Sequence, residues 1–585
     1  MKKFAWACTV LVAAAVALPL GAAGEKIDYE ALNKIKQQGM NAQTSQVMEI
    51  SSWLTDVHGP RLTGSPNVQK AGEWAVAKMK EWGLQNAALE PWADKASQFA
   101  YGWTNDKFYM AAVAPQAFPI PGTPTSWTPG TNGLVRGEVA LVTETTAEDL
   151  QKYAGKLKGK WILTQAAPDV AAYWTAPSTR ETAEDLQKME LGANPAPEFG
   201  VGNPAAGGRG QGGGRGGFGQ GAPFDRNAWF KSEGAAGLLS TAPRGHGIYT
   251  IGGGDRNAEP TAGLPRISIP AEQYGRLARM ASKNLPVTIE ADIKNTYIPN
   301  PPMFNVVAEI RGTDKADEIV MLGAHFDSWH ASTGATDNVA GSAAMMEAMR
   351  ILKQTGVPLR RTVRIGLWTG EEQGLIGSRD YVKAHFGACN DPAPAGRGAA
   401  PAAPATTTAA TTAAAGRAGT PAAPAAPAAA PQRGGGGRGG CQTGYTLKPE
   451  YGKFAGYFNI DNGTGAIRGV YLQQNDAVAP IFREWMEPFR SIGMTALTIR
   501  NTGGTDHQSF DALGLPGFQF IQDAVEYDTM THHTNLDSYE RLQPGDMMKN
   551  ATIAASFAYL AANRDDKLPR KPFAGAAPAT RGSGQ

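Results

Sequence analysis

The 585-residue chain has few cysteines, few long apolar runs and little net charge. Its three cysteines allow at most one disulfide bond once Cys8, which lies in an N-terminal apolar run, is set aside. After that run no stretch approaches 18 apolar residues, so we expect no stable membrane anchor. The 71 glycines follow no strict third-residue period, which excludes collagen. Outside two low-complexity stretches, Val, Ile, Leu, Trp and Phe are abundant, which excludes a wholly disordered chain.

The low-complexity stretches are two inserts, at residues 200–221 and 391–440. The first is rich in Gly and the second in Ala, Pro, Thr and Gly, so neither can bury a core. The formal net charge of +2 arises from the N-terminus and these inserts, and the remaining body is acidic. An acidic body does not suit a phosphate backbone, and we expect no nucleic-acid partner. The alternative, an RNA-binding RGG-type segment in the first insert, has only two arginines, and flexible linkers describe both inserts better.

The N-terminus is typical of a secretory signal peptide spanning residues 1–24. Two lysines precede an apolar run at residues 4–20, and the small residues 21–24 follow it. We therefore predict an exported protein, periplasmic or extracellular after cleavage. Export leaves Cys389 and Cys441, which bracket the second insert, and an oxidising compartment favours one disulfide between them. Two free thiols are the alternative.

The predicted secondary structure changes along the chain after the signal peptide. Residues 28–88 show helical spacing behind a capping Asp28, and residues 101–130 are predicted to be extended segments or loops. Short β-type runs follow, and from residue 303 strands and helices alternate, which predicts an α/β fold with a mixed, mostly parallel sheet sandwiched by helices. The predicted domains are an N-terminal part of the catalytic domain at 25–131, an inserted β-rich domain at 132–292, the main catalytic part at 293–565 and a flexible tail at 566–585.

Acidic and imidazole side chains stand at the ends of successive predicted strands. In such sheets ligands bind at the carboxyl ends of the strands. The residues concerned are His325, Asp327, Asp337, Glu371, Glu372, Asp461, His532 and His533. Each has a bland alternative, such as a helix cap or a solvated turn, but their joint occurrence makes a wholly structural explanation poor. Imidazole and carboxylate donors without thiolate suit divalent metals, and a carboxylate bridging two metals is a common way to activate water.

The order of these residues resembles the M28 family of zinc exopeptidases. The motifs are His325-x-Asp327, Asp337-Asn338-x-x-Gly341, Glu371-Glu372, Asp461 and His533-Thr-x-x-Asp537. The inserted β-rich region resembles a protease-associated (PA) domain. The histidine doublet and the N-terminal helical region are most similar to the carboxypeptidase Q-like branch.

The resemblance implies a role for each residue and two Zn²⁺ ions per chain. His325 and Asp461 would bind one zinc, Glu372 and His533 the other, and Asp337 would bridge them. Asp327 would orient His325, and Glu371 would be the general base. Many relatives have a tyrosine where this chain has His532, so we expect the His532 imidazole to stabilise the oxyanion. The spacing to Asp537 favours His533 over His532 as the metal ligand.

Asp506 and His507 resemble a family motif at the rim of the substrate cleft. We expect contacts with substrate from this pair; a helix cap with a packed histidine is the alternative. The leading function is a secreted exopeptidase acting on short peptides, as an aminopeptidase, carboxypeptidase or dipeptidase. A glutaminyl cyclase-like enzyme with a single zinc, and a non-catalytic binding protein on the same scaffold, are the alternatives. The sequence leaves open whether the chain forms a homodimer.

Overall fold

The computed structural model describes residues 25–94, 99–190, 224–391, 441 and 444–571. The predicted signal peptide and nearly all of both low-complexity inserts lie outside these residues. The described strands are β1 (Gln85–Pro91), β2 (Tyr101–Ala114), β3 (Phe118–Pro119), β4 (Thr123–Pro124), β5 (Val135–Leu141), β6 (Trp161–Leu163), β7 (Gly237–Ser240), β8 (Arg266–Ser268), β9 (Thr288–Pro299), β10 (Phe304–Ile310), β11 (Lys315–His325), β12 (Arg361–Trp368), β13 (Gly387–Cys389), β14 (Tyr445–Leu447), β15 (Phe454–Asn459), β16 (Ile467–Tyr471), β17 (Ala496–Thr498) and β18 (Gly517–Gln522).

The described α-helices vary from one turn to 20 residues. They are α1 (Tyr29–Gly39), α2 (Val47–Ser52), α3 (Pro66–Glu81), α4 (Ala147–Leu150), α5 (Ala183–Glu190), α6 (Arg226–Ser232), α7 (Ala271–Ala281), α8 (Ala340–Thr355), α9 (Ile376–His385), α10 (Ala479–Met486), α11 (His507–Asp511) and α12 (Pro544–Asn563). Among the described residues, no helix combines the length and the apolar character needed to cross a bilayer.

The first large sheet has the strand order β1-β10-β12-β11-β15-β18-β16-β17. Its central strands β12, β11, β15 and β18 are parallel, and antiparallel pairs flank them, as the predicted mixed sheet requires. The register places His325 opposite Trp368 and Gly323 opposite Asn459. The carboxyl ends of three neighbouring strands therefore stand level at one edge, which is where the candidate residues lie.

Both faces of this sheet are covered because its central strands are apolar on both sides. Val320 and Leu322 join the core beneath α8 and α12, whereas the intervening Met321 packs on the opposite face with residues of α9 and α11. This alternation is the two-residue period of a strand. The central turns of α8 are buried all round, and they pack against α12.

The second large sheet has the order β3-β2-β9-β5-β6-β7-β8-β4. Strand β2 pairs along most of its length with β9, so the sheet starts at residue 101. The domain boundary predicted at residue 132 lies inside this sheet. The region also contains helices α4 to α7, and is therefore less purely β than the sequence suggests.

Two local predictions differ from the structure. The helical region predicted to reach residue 88 ends at Glu81, because the segment 85–91 pairs with β10 at the sheet edge. The tail predicted to be flexible from residue 566 packs on the body over residues 566–571. Leu568 is 3% exposed there, and the Lys571 Nζ lies 2.6 Å from Asp511 Oδ1.

Candidate metal centre

His325 ends β11 with its ring turned toward two carboxylates. Its Nδ1 lies 3.0 Å from the carbonyl oxygen of Asp327. Its Nε2 lies 3.1 Å from Asp337 Oδ1 and 3.1 Å from Asp461 Oδ1. A carbonyl only accepts, so Nδ1 carries a proton and Nε2 faces the two carboxylates. The residue is 1% exposed, and its ring is shielded from bulk water.

Asp337 stands in the irregular turn between β11 and α8. Its peptide bond to Asn338 is cis, and the backbone of both residues is non-helical. The carboxylate of Asp537 holds this turn by accepting from the backbone nitrogens of Thr336 at 2.6 Å and Asp337 at 3.1 Å. Burial and the neighbouring Asp337 raise the pKa of Asp537 to about 7. The turn presents one Asp337 oxygen to His325 and the other to the histidine doublet.

The doublet approaches Asp337 from the loop before α12. His533 Nε2 lies 3.2 Å from Asp337 Oδ2 and 2.9 Å from Glu372 Oε2. His532 Nε2 lies 3.8 Å from Asp337 Oδ2, and its ring stacks on Tyr527 at 4.7 Å between centroids. Of the two histidines, His533 therefore has the contacts that a second metal position needs, and His532 stands beside it.

Glu371 and Glu372 follow β12 in a tight turn that Asp327 organises. Asp327 Oδ1 accepts from the Glu371 backbone nitrogen at 3.2 Å, and Oδ2 accepts from that of Glu372 at 3.4 Å. Asp327 also stands beside His325, as the expected orienting role requires. Its carbonyl oxygen lies 3.0 Å and its carboxylate Oδ1 3.7 Å from His325 Nδ1, so Asp327 contacts both the His325 ring and the turn after β12.

The electrostatics of this cluster fit cations. Burial alone would lower the pKa of His533, but Glu372 and Asp337 raise it to about 10. Burial alone would raise the pKa of Asp337, but His325 and His533 lower it well below its ordinary value. Each imidazole is thus stabilised as a cation by two carboxylates, and a divalent metal bound between the same atoms would replace that proton. The donor set is nitrogen and oxygen only, which suits zinc.

Arg61 is a supporting residue that the sequence does not reveal. It is fully buried, and its guanidinium donates to the backbone carbonyls of Leu54, Phe326, Thr333 and Gly334 at 2.7–3.0 Å. Burial lowers its pKa to about 10, while Asp537, Asp327 and Asp337 act in the opposite direction. This cation ties the turn that follows α2 to the segment between the candidate ligands His325 and Asp337. No local pattern marks such a residue.

The second sheet closes one side of the centre. Ile251 donates its backbone N–H to the His533 carbonyl at 2.9 Å, and Thr250 forms a β-bridge with Thr534. The side chain of Ile251 lines the same small cavity as Trp329, Asp337, Glu372 and His533. The loop after β7 is therefore part of the wall of the candidate site.

Asp506 and His507 stand at the start of α11. Both side chains are fully buried, and the His507 Nε2 contacts the Thr502 carbonyl at 3.1 Å. Burial lowers the pKa of His507 to about 4. The pair has the features of the alternative interpretation, a packed histidine at the start of a helix, and contacts with substrate remain a prediction.

Cys389 and Cys441 form a disulfide with Cα atoms 5.7 Å apart. The bond stands at the base of the β13–β14 hairpin, where Cys389 pairs with Tyr445. It joins the two ends of the second low-complexity insert, as the oxidising-compartment argument predicted.

Several known proteins similar to this chain are peptidases by name. The profile of peptidase family M28 matches residues 305–393, which contain His325, Asp337 and the glutamate pair. Carboxypeptidase Q of Mus musculus is 24% identical over 522 residues, 88% of this chain and 86% of the relative. Probable leucine aminopeptidase 2 of Arthroderma benhamiae is 39% identical over 136 residues, 23% and 25% of the two chains. The crystal structure of a Peptidase M28 precursor from Shewanella amazonensis SB2B has a TM-score of 0.58 at 22% identity, covering 94% of this chain and all of that one.

Proposed function

We propose that this chain, which is similar to peptidase family M28 over residues 305–393 and to carboxypeptidase Q over 88% of its length, is a dinuclear zinc exopeptidase of short peptides. The observation that carries the proposal is the position of Asp337, whose two carboxylate oxygens face His325 on one side and His533 on the other. Asp461 completes the first position and Glu372 the second. A bridging carboxylate with one imidazole and one further carboxylate on each side is a ligand set for two ions.

Glu371 is the proposed general base. It is 1% exposed and follows β12 directly, next to the ligand Glu372. His325, Asp461, Glu372, His533 and Asp337 would hold zinc, which would supply the Lewis acidity needed to activate a water molecule and to polarise the scissile carbonyl. Glu371 takes a proton from the attacking water and delivers it to the leaving amine. His532, beside the bridging Asp337, donates a hydrogen bond to the oxyanion that develops on the former carbonyl.

The adjacent glutamates provide a matched pair of variants for the test. Glu371→Gln should keep two equivalents of zinc and lose about 10²–10⁴-fold in kcat. Glu372→Gln should lose zinc from one position as well as activity. The readouts are zinc content by elemental analysis and hydrolysis of a panel of dipeptides, aminoacyl-amides and N-terminal glutamine peptides. Wild-type turnover in Glu371→Gln would refute the mechanism.

The panel also separates the alternatives. Cyclisation of glutamine peptides without hydrolysis would favour a glutaminyl cyclase, and zinc binding without any turnover would favour a binding scaffold. The relatives' names, carboxypeptidase and aminopeptidase, point to opposite ends of a peptide. Comparing hydrolysis of free dipeptides with that of their C-terminal amides shows whether the enzyme requires a free carboxyl end of the substrate. His532→Ala should reduce kcat with zinc content intact, and an unchanged kcat would reject its role.

Export remains part of the proposal. The signal-like composition of residues 1–24 and the Cys389–Cys441 disulfide support an oxidising compartment. We propose that the β-rich insertion is a PA-like domain, supported by its position in the chain and by the second sheet.

A further inference from the structure

One threonine connects the two strand ends that carry His325 and Glu371. Thr63 lies between α2 and α3 and is fully buried. Its hydroxyl oxygen is 2.8 Å from Asp327 Oδ2 and 2.9 Å from the backbone nitrogen of Gly370. The Gly370 N–H only donates, so the hydroxyl accepts from it and directs its own proton to Asp327.

The Asp327 carboxylate receives two further contacts. It also accepts from the backbone nitrogens of Glu371 and Glu372. Asp327 thus accepts from three donors, one on Thr63 and two in the turn after β12. Asp327 follows His325 by two residues, so its carboxylate connects the end of β11 to the turn after β12. Thr63 contacts both segments, the first through Asp327 and the second through Gly370.

We propose that Thr63 is a positioning residue for peptide hydrolysis, which acts through Asp327 and Gly370 to set Glu371 and Glu372 against His325. The inference rests on the proposed function. A misplacement of about 1 Å in a reacting group can cost about 10²-fold in rate, and loss of a partner that orients a ligand typically costs about 10–100-fold in metal affinity or activity. A hydroxyl that makes one contact with each strand end is placed to produce both effects.

The test compares Thr63→Val, Thr63→Ser and the control Thr552→Val. Valine keeps the volume and removes the hydroxyl, whereas serine keeps the hydroxyl. Thr552 is equally buried, and its hydroxyl donates only to Met548 within α12. We expect Thr63→Val to lower kcat about 10–100-fold with little change in KM, and to weaken zinc binding in a chelator competition. Thr63→Ser should restore both, and Thr552→Val should change neither.

Several outcomes overturn the proposal. It fails if Thr63→Val and Thr552→Val lower the urea midpoint alike while kcat and zinc affinity per folded molecule remain at the wild-type level. It also fails if Thr63→Ser is as impaired as Thr63→Val. If the valine variant does not fold, Thr63→Ala removes the hydroxyl with less steric demand, and the same expectations apply. An inactive, zinc-binding wild type refutes the exopeptidase function, and the zinc-affinity comparison then decides the Thr63 proposal separately.

Discussion

Replacing Arg61 by lysine tests whether this buried cation holds the loops of the site together. The guanidinium makes four hydrogen bonds, to the carbonyls of Leu54, Phe326, Thr333 and Gly334. An ammonium has three donors at one point and lacks the planar fork, so it cannot reach carbonyls that lie on different sides of the guanidinium. At least one of the four carbonyls loses its bond to residue 61 in Arg61→Lys, and of the four the Gly334 carbonyl keeps a second donor, the Val339 N–H.

The magnitude follows from these contacts. A buried polar group without a partner costs about 1–3 kcal/mol, and the remaining hydrogen bonds lose part of their geometry. We expect Arg61→Lys to lower the free energy of unfolding by about 2–4 kcal/mol, a large share of an ordinary stability of about 5–15 kcal/mol. The positive charge is kept, so this loss measures geometry and not the removal of a charge.

The assay is urea unfolding followed by tryptophan fluorescence on chelator-treated protein, so that metal binding does not add to stability. Arg360→Lys is the matched control, because Arg360 pairs with Asp314 and Asp565 on the partly exposed surface. That change should cost less than about 1 kcal/mol. Equal losses in the two variants would refute the argument that the fork of Arg61 is required.

Three further predictions concern other parts of the chain. Burial would lower the pKa of His385, but Glu450 and Glu90 raise it to about 9. The stabilisation from protonated His385 should be complete below about pH 6.5 and lost as the pH rises through about 9. His385→Gln should remove on the order of 1–2 kcal/mol of this pH-dependent change in the free energy of unfolding, measured by urea unfolding across that pH range; an unchanged pH dependence contradicts the prediction. Cys389→Ser should increase amide hydrogen exchange in β13 and β14. The disulfide closes a loop with a sequence separation of 52, which is worth about 4 kcal/mol of chain entropy. Unchanged amide protection in these strands would count against this prediction. Asp537→Asn should weaken zinc binding about 10–100-fold in chelator competition, because it loosens the turn that carries the bridging carboxylate, and wild-type affinity would exclude that role.

Much of the first sheet could be predicted because its signals are local. The alternation of strands and helices predicted from residue 303 is present in the structure, for example in the apolar strand β11 and the long apolar helix α12. The meeting of the acidic and imidazole residues at one edge also follows, since the carboxyl ends of neighbouring parallel strands coincide. A strand at the edge, such as β1, carries a weaker pattern and was assigned to a helical region.

The supporting residues could not be predicted because their partners are distant in the chain. Thr63 contacts an aspartate 264 positions away, and Arg61 contacts carbonyls that no side-chain pattern distinguishes. Asp506 and His507 show a related difficulty, because a recognisable motif does not reveal that both of its side chains are buried. The family resemblance predicts which residues belong to the candidate site, whereas their contacts and burial follow only from the packing of the fold.

The β-bridge between Thr250 and Thr534 has a consequence for protein engineering. The bridge and the hydrogen bond from Ile251 attach the loop after β7 to the backbone next to and at His533. Excising the second-sheet region to obtain a smaller protein would leave the carbonyl of His533 without this donor and release the loop that carries its imidazole. The loop after β7 thus supports the candidate site, and a minimal version of the protein has to retain it.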